Sequence, residues 1–154
     1  MSGEARSRAL AEEMRSCVCT ALRRASREVT RFYDAALKAH RLQVTQLPIL
    51  VAAGTAGPRQ AVPMPRVAAA LGMDRTTLLR NVRPLVRRKL VEVMTPAGSR
   101  HSVIRATAAG RALLVRLYPE WKRAQDQMLR RVAGQEWART LDSLAAAAAR
   151  GASP

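Results

Sequence analysis

Apolar residues return at helical spacing along the first quarter of the chain. From Glu12 to Ala39 there is no Gly or Pro, and an apolar side chain recurs every three or four positions. This pattern predicts a single helix of roughly seven turns, while Met1–Ala9 is expected to be frayed. Arginines occupy the other faces, so the narrow apolar stripe requires a partner helix, such as one from a second copy of the chain. The stripe comprises Met14, Val18, Ala21, Leu22, Ala25, Val29, Phe32 and Ala36.

A second helix is predicted from Val44 to about Ala53, with Leu47, Leu50 and Val51 facing inward. Pro48 falls inside this segment, so the helix either starts late or is kinked. Residues 54–63 contain two Gly and two Pro and predict a loop.

A helix, a short turn and a second helix are predicted between Met64 and Val82. Pro65 suits the first position of a helix, where its missing N–H would have no partner. Gly72 can adopt the left-handed conformation that ends this helix, and Asp74 can cap the next one. This order is the helix-turn-helix pattern.

The second of these helices has two contrasting faces. Arg and Thr on its outer face suit the base edges and phosphates of a DNA major groove, although an ordinary surface helix with a basic outer face has the same pattern. Pro84 is expected to bend the helix and to leave its N-terminal turns intact. The inner face comprises Leu78, Leu79, Val82, Leu85 and Val86; the outer face comprises Thr76, Arg80, Arg83 and Arg87, with Thr77 and Asn81 at its flank.

Two short strands follow at once. Val91–Thr95 and Ser102–Ala106 have strand composition and are separated by residues 96–101, which contain Pro and Gly. A helix-turn-helix followed by a β-hairpin is a winged helix. Arg100 and His101 lie at the predicted tip, where Arg suits the negative potential of a minor groove.

The charge of the chain is concentrated in this central region. The whole chain has 27 Lys and Arg against 11 Asp and Glu, a net charge of +16. Between Ala35 and Pro119 there are fourteen basic residues and two acids, Asp74 and Glu92. Such an excess predicts a polyanionic partner, most often nucleic acid and less often a ribosome or an anionic membrane surface.

These segments resemble the MarR family of bacterial regulators from about Cys17 onward. The matching residues run from Val67 through Gly72, from Asp74 through Arg80, and over Thr107–Arg111, which resembles the Thr-x-x-Gly-Arg motif of the family. The resemblance implies a homodimer of winged helices that represses genes until a small ligand or oxidant releases it. The wing of the family usually has Asp-x-Arg, and here Gly98 stands in place of the Asp.

The C-terminal part carries a second long apolar stripe, expected to pack in a dimer. Pro119 can kink the helix that starts near Thr107, and Gly134 is expected to end it. We therefore predict a mostly α fold with a small β-hairpin wing: residues 12–42 and 107–150 form dimerisation helices, and residues 44–106 form the winged helix-turn-helix. The stripe comprises Leu113, Leu114, Leu117, Tyr118, Trp121, Ala124, Met128 and Val132, followed by Trp137, Leu141, Leu144 and Ala148.

The remaining reactive residues do not form a recognisable catalytic or metal site. Cys17 and Cys19 would point to nearly opposite sides of a helix, which favours incidental cysteines over a redox or metal sensor. His40 and His101 do not complete a zinc motif with them. No phosphate-binding Gly-rich loop or nucleophile elbow is visible, so an enzyme is the weak hypothesis and no cofactor or metal is expected.

The sequence thus predicts a cytoplasmic, sequence-specific DNA-binding regulator without membrane association. Its partners would be a pseudo-palindromic DNA duplex, a second copy of the chain, and a small anionic aromatic effector whose binding residues the sequence does not identify. A sequence-neutral nucleic-acid-binding protein is the alternative that the charge alone permits. The residues predicted to contact DNA are Arg75, Thr76, Thr77, Arg80, Asn81, Arg83, Arg87, Arg100 and His101.

Overall fold

Helices at the two ends of the chain flank a central module of three short helices and a small sheet. The computed structural model describes residues 3–57, 60–132 and 136–151. The N-terminal part contains α1 (Gly3–Glu13) and α2 (Val18–Leu37). The central module contains α3 (Leu47–Thr55), β1 (Val62–Pro63), α4 (Met64–Ala70), α5 (Arg75–Arg87), β2 (Val91–Met94) and β3 (Val103–Ala106). The C-terminal part contains α6 (Ala108–Arg131) and α7 (Glu136–Gly151).

The single helix predicted from Glu12 to Ala39 is wrong, because the chain breaks at Cys17. A 3₁₀ turn, Met14–Ser16, follows α1, and Cys17 is extended with φ −62° and ψ 118°. The Ser16 hydroxyl donates to the carbonyl of Glu13 at 2.9 Å, a local bond that competes with regular helix geometry. The first residues are also helical from Gly3 onward rather than frayed, since Ala, Glu and Arg favour helix.

The second helix starts late and is not kinked. Pro48 lies in the first turn of α3, where the missing N–H costs no hydrogen bond. Ile49 is fully buried, whereas Val51, predicted to face inward, is exposed. Leu47 and Leu50 are buried as predicted, so Val51 is the one of the three that departs from the prediction.

The loop predicted over residues 54–63 is shorter than expected. Gly54 and Thr55 belong to α3, and a Cβ atom on Gly54 would lie 3.0 Å from Cδ1 of Leu114, so α3 and α6 approach closely there. Val62 and Pro63 form the strand β1, which the sequence analysis missed. Pro58 and Arg59, within the predicted loop, lie outside the described residues.

The predicted hairpin is confirmed to within one residue at its ends and belongs to a three-stranded antiparallel sheet in the order β1-β3-β2. Val91 pairs with Ala106 and Met94 with Val103. On the other side of β3, Val62 pairs with Ile104. The backbone N–H of Met64 also donates to the carbonyl of Ser102 at 2.9 Å, so the start of α4 is fixed to the hairpin.

One apolar core joins the central module to the adjoining ends of α2 and α6. Leu78, Val82 and Leu85 of α5 are buried as predicted, Leu79 is half-buried, and Val86 is exposed, contrary to the prediction. Val86 lies in the last turn of α5. The largest fully buried side chains are Leu37, Ile49, Leu50, Val67, Leu78, Leu85, Val91 and Ile104.

The helices beyond the module are less covered. Thr107 caps α6 by accepting from the N–H of Gly110 at 3.0 Å, and α6 continues past Pro119 to Arg131. Gly134, predicted to end this helix, lies outside the described residues. Trp137 and Leu141 of α7 are exposed. Among the helices in the described ranges, none is long and apolar enough to span a bilayer.

Candidate DNA-binding surface

The helix-turn-helix is built by the local signals that predict it. Gly72 has φ +59°, the left-handed conformation that a residue with a Cβ rarely adopts. The backbone N–H of Met73 donates to the carbonyl of Ala68 at 2.9 Å across the end of α4. These bonds turn the chain within Leu71–Asp74 and start α5 at Arg75.

Asp74 fixes the first turn of α5. Its Oδ1 accepts from the N–H of Thr77 at 2.9 Å, and its Oδ2 accepts from the Thr77 hydroxyl at 2.7 Å. The Thr77 hydroxyl and N–H hold the pKa of the Asp74 carboxyl below its ordinary value. The ionised carboxylate therefore caps the helix and opposes the positive end of its dipole.

Most of the side chains predicted to contact DNA lie on one exposed face of α5. Thr76, Arg80 and Arg83 are exposed along successive turns, and Arg87 continues the line to the end of the helix. Among the described residues, none forms an ion pair or a hydrogen bond with the guanidinium of Arg75, Arg80, Arg83 or Arg87. These four guanidiniums therefore retain all their donors for an external acceptor such as a phosphate or a guanine edge.

The flanking residues of this face are already engaged. Thr77 is half-buried and its hydroxyl donates to Asp74. Asn81 is half-buried, and its Nδ2 donates to the Thr77 carbonyl at 2.9 Å. Both side chains thus stabilise the N-terminal half of α5, and each keeps only part of its hydrogen-bonding capacity for a ligand.

The hairpin ends in an ordered tip. Gly98 has φ +73°, and the N–H of Ser99 donates to the carbonyl of Pro96 at 3.0 Å. The Ser99 hydroxyl accepts from the N–H of His101 at 3.1 Å and donates to the His101 carbonyl at 2.9 Å. Nearer the base of the hairpin, Arg105 pairs with Glu92 on the adjacent strand at 2.6 Å.

The structure brings the start of α5 and the hairpin tip together. Arg75, Arg100 and His101 line one cleft of about 340 Å³, whose floor is apolar. Leu78 and Val93 belong to that floor. Arginines from two separate segments, the start of α5 and the hairpin tip, therefore line one concave surface. A polyanion bound there could contact both segments at once.

The C-terminal end of α5 is fixed to α6 by the Thr107–Gly110 segment. The Thr107 hydroxyl donates to the carbonyl of Lys89 at 2.7 Å, and its N–H donates to the carbonyl of Leu90 at 3.0 Å. A Cβ atom on Gly110 would lie 2.1 Å from the Leu90 carbonyl oxygen, so only Gly permits this approach. The face of α5 is thereby held at a defined angle to α6.

Comparison with solved structures identifies the fold of this arrangement. The crystal structure of the Mycobacterium tuberculosis transcriptional regulator MosR in complex with DNA is 33% identical in sequence, with a TM-score of 0.78. The match covers 89% of this chain and 99% of MosR. A MarR-family regulator from Rhodococcus sp. RHA1 is 24% identical over 82% of this chain and 89% of its own, with a TM-score of 0.66.

The chain belongs to the MarR family of winged helix-turn-helix transcriptional regulators. CouR from Rhodococcus jostii RHA1, crystallised with p-coumaroyl-CoA, shares the fold at 24% identity and a TM-score of 0.65, over 83% of this chain and 88% of CouR. No family model and no curated protein matches the chain.

The tip of this wing is held by Ser99 and by the turn at Gly98. Gly98 stands where the Asp of the usual Asp-x-Arg would lie, and its positive φ makes the turn. The hydroxyl of Ser99, the next residue, supplies the hydrogen bonds that tie the tip together. The tip therefore has local hydrogen bonds from Ser99 although position 98 is not an Asp.

The two cysteines are free. Cys17 is the N-cap residue of α2 and is half-buried, and Cys19, two residues further, is exposed. The N–H and hydroxyl of Thr20 hold the pKa of the Cys17 thiol below its ordinary value. In the described part of the chain, no group of three or more His, Cys, Asp or Glu could hold a metal ion.

Arg88, a basic residue next to this surface, was given no role by the sequence pattern, because it contacts a distant part of the chain. Arg88 caps the C-terminus of α5 and donates to the carbonyls of His40 and Arg41. The helical period shows only that Arg88 lies off the outer face of α5, and it gives no information about the partner of its guanidinium. His40 also lies 3.5 Å from Glu120 of α6 through Nε2 and Oε2, so it is more enclosed than a linker histidine is expected to be.

Proposed function

We propose that this MarR-family chain is a cytoplasmic, homodimeric, sequence-specific DNA-binding transcriptional regulator, a repressor that a small ligand releases. The observation that carries the proposal is the row of unpaired guanidiniums on α5, beside Arg100 and His101 on the wing. MosR, the relative at 33% identity, is crystallised in complex with DNA. A basic face of this shape matches a DNA duplex better than it matches a small substrate.

The roles we assign follow position on the surface. Thr76, Thr77, Arg80 and Asn81 on the first turns of α5 would meet base edges in the major groove, with Arg75 at its margin. Arg83 and Arg87, further along α5, would contact phosphates. Arg100 and His101 would enter the adjacent minor groove, where width and potential vary with sequence.

Dimerisation is supported by apolar side chains that remain exposed in the single chain. Val18, Leu22 and Val29 on α2, and Trp137 and Leu141 on α7, are each more than a third exposed. Leu22, Val29, Trp137 and Leu141 line one apolar cleft of about 640 Å³ between α2, α6 and α7. We propose that a second copy covers this surface, with residues 12–42 and 107–150 as the dimerisation helices and residues 44–106 as the DNA-binding module.

The rival function is sequence-neutral binding of nucleic acid, which the net charge of +16 also favours. Footprinting on the DNA upstream of its own gene separates the two. A regulator protects one short pseudo-palindrome with half-sites about one helical turn apart, whereas a neutral binder coats the fragment diffusely. In both cases affinity falls steeply with salt, so a flat salt dependence contradicts any role for the basic face.

The assigned roles are tested with three single variants on a panel of operator sequences. Arg80→Ala should cost about 1–3 kcal/mol of binding and relax preference at particular base pairs. Arg87→Ala should weaken binding almost uniformly and flatten the salt slope, since it removes a phosphate contact. Arg100→Ala should lose most affinity on operators with A·T-rich flanks. Three indistinguishable sequence profiles would mean that the arginines act only as interchangeable charge.

Ligand release is supported by family membership, and we expect a small anionic aromatic effector at the junction between the dimerisation helices and the winged module. A thermal-shift screen of aromatic acids, followed by operator binding with each compound that stabilises the protein, tests this. At least one such compound should weaken operator binding. If every stabilising compound leaves operator affinity unchanged, the chain is not released in this way.

A further inference from the structure

Arg88 makes a contact that separates it from the other arginines of α5. It is the C-cap residue of the helix, and its guanidinium bonds to the segment that follows α2. Nη2 donates to the carbonyl of His40 at 2.9 Å, and Nη1 donates to the carbonyl of Arg41. The two donors of one planar group thus hold two successive carbonyls of the segment that joins α2 to α3.

That segment is held in a single shape by further bonds. Arg41 has φ +51°, a left-handed conformation that costs energy for a residue with a Cβ. The carboxylate of Asp34 accepts from the N–H of Val44 at 2.6 Å. The imidazole of His40 lies against Glu120 of α6. Arg88 therefore connects the end of α5 to a rigid link rather than to a free loop.

The same end of α5 is also bonded to α6 through the Thr107 hydroxyl and the Lys89 carbonyl. The C-terminus of α5 is consequently joined to both α2 and α6, the helices that carry the proposed dimer interface. Its N-terminal half packs on α4 and the hairpin through buried side chains such as Leu78, so it moves together with the winged module. An α-helix of this length spans roughly 20 Å, so a rotation of that module by about 5° around Arg88 moves Thr76 by roughly 2 Å.

We propose that Arg88 is a positioning residue that sets the half-site spacing the dimer accepts. In a dimer the two copies of α5 must enter successive major grooves about 34 Å apart, and one base pair changes that separation by about 3.4 Å. A displacement of roughly 2 Å at each helix is therefore enough to change which spacing fits. This inference rests on the proposed function, in which α5 is the recognition helix of a homodimer.

The test is Arg88→Lys, which keeps the charge and loses the planar pair of donors, with Arg116→Lys, at an exposed arginine of α6 outside the proposed DNA surface, as the matched control. Binding is measured on the footprinted operator and on versions with one base pair inserted or deleted between the half-sites. Wild-type protein and Arg116→Lys should discriminate between these operators equally. Arg88→Lys should lose about tenfold in that discrimination, the value of a charge-assisted hydrogen bond, with an unchanged salt slope. Discrimination equal to wild type in Arg88→Lys overturns the proposal.

A second measurement separates failure of this inference from failure of the proposed function. Spin labels at Ala35→Cys and Thr76→Cys, in protein with Cys17 and Cys19 replaced by Ser and diluted with unlabelled chains, report the distance between α2 and α5 without DNA. The distance distribution should be narrow in the parent and in Arg116→Lys, and broader or shifted in Arg88→Lys. An unchanged distribution counts against Arg88 even if operators are bound. A changed distribution in protein that binds no operator retains the positioning role and rejects the proposed function.

Discussion

The central module and the helices at the ends of the chain differ in how their apolar residues are covered. In the module, Leu50, Leu85 and Ile104 are fully buried by residues of the same chain. In α1 no residue is buried, and in α2 only Tyr33 and Leu37 are. The module therefore has its own core, whereas the end helices leave apolar side chains exposed to water in the single chain.

This difference separates the stability of the folded chain from the stability of the dimer. Substitutions in the module should change the free energy of unfolding by the same amount at every protein concentration. Substitutions on the exposed stripes should act through association, so their effect should depend on concentration. The predictions below test that division, beginning with the largest effect.

Gly110→Ala, at the point where α6 meets the module, should be the most damaging small substitution. The added Cβ would meet the Leu90 carbonyl oxygen at 2.1 Å, and backbone at that position cannot move aside cheaply. We expect a loss of about 3 kcal/mol or more, or no soluble protein, measured by denaturant unfolding. Gly3→Ala is the control, because a Cβ there meets nothing within 4 Å. Equal free energies of unfolding for the two variants would show that the close contact between Gly110 and Leu90 does not stabilise the protein.

Leu22→Asp should dissociate the dimer and leave the module folded. Leu22 is 37% exposed in the single chain and lines the apolar cleft between α2, α6 and α7. A buried carboxylate at an interface should raise the dimer dissociation constant by about 100-fold, measured by light scattering across a dilution series. Arg24→Asp, on the opposite face of α2, should remain dimeric despite its larger change in charge. A monomeric wild type at micromolar concentration would contradict the whole account of the end helices.

Asp74→Ala should have the smallest effect and show its origin through pH. Since the folded-state pKa of Asp74 lies below its ordinary value, its contribution to stability is present at neutral pH and is lost as the pH falls through that pKa. The melting temperatures of wild type and Asp74→Ala should therefore differ at pH 7 and converge in acid. Asp74→Asn keeps an acceptor for the N–H of Thr77 and should lie close to wild type at pH 7. If the melting temperatures of wild type and Asp74→Ala differ by the same amount in acid as at pH 7, the ionised carboxylate is not the cause of the difference.

Local chemistry made the recognition helix and the wing predictable. Gly72 ends α4 and Asp74 caps α5 through contacts within four residues of each, so those bounds depend on nearby sequence alone. The strand composition of Val91–Thr95 and Ser102–Ala106, with Pro and Gly between them, likewise predicted the hairpin. The outer face of α5 followed from the period of the helix.

What the sequence by itself determined is the order and type of these elements, their basic face and the resemblance to the MarR family. The tertiary structure decided which apolar positions were covered: Val51 and Val86 are exposed, and Val62 joins β3 across forty residues. It also decided that Arg88 bonds to the link after α2. These outcomes depend on which distant segment lies opposite a residue, and a helical or strand period carries no information about that neighbour.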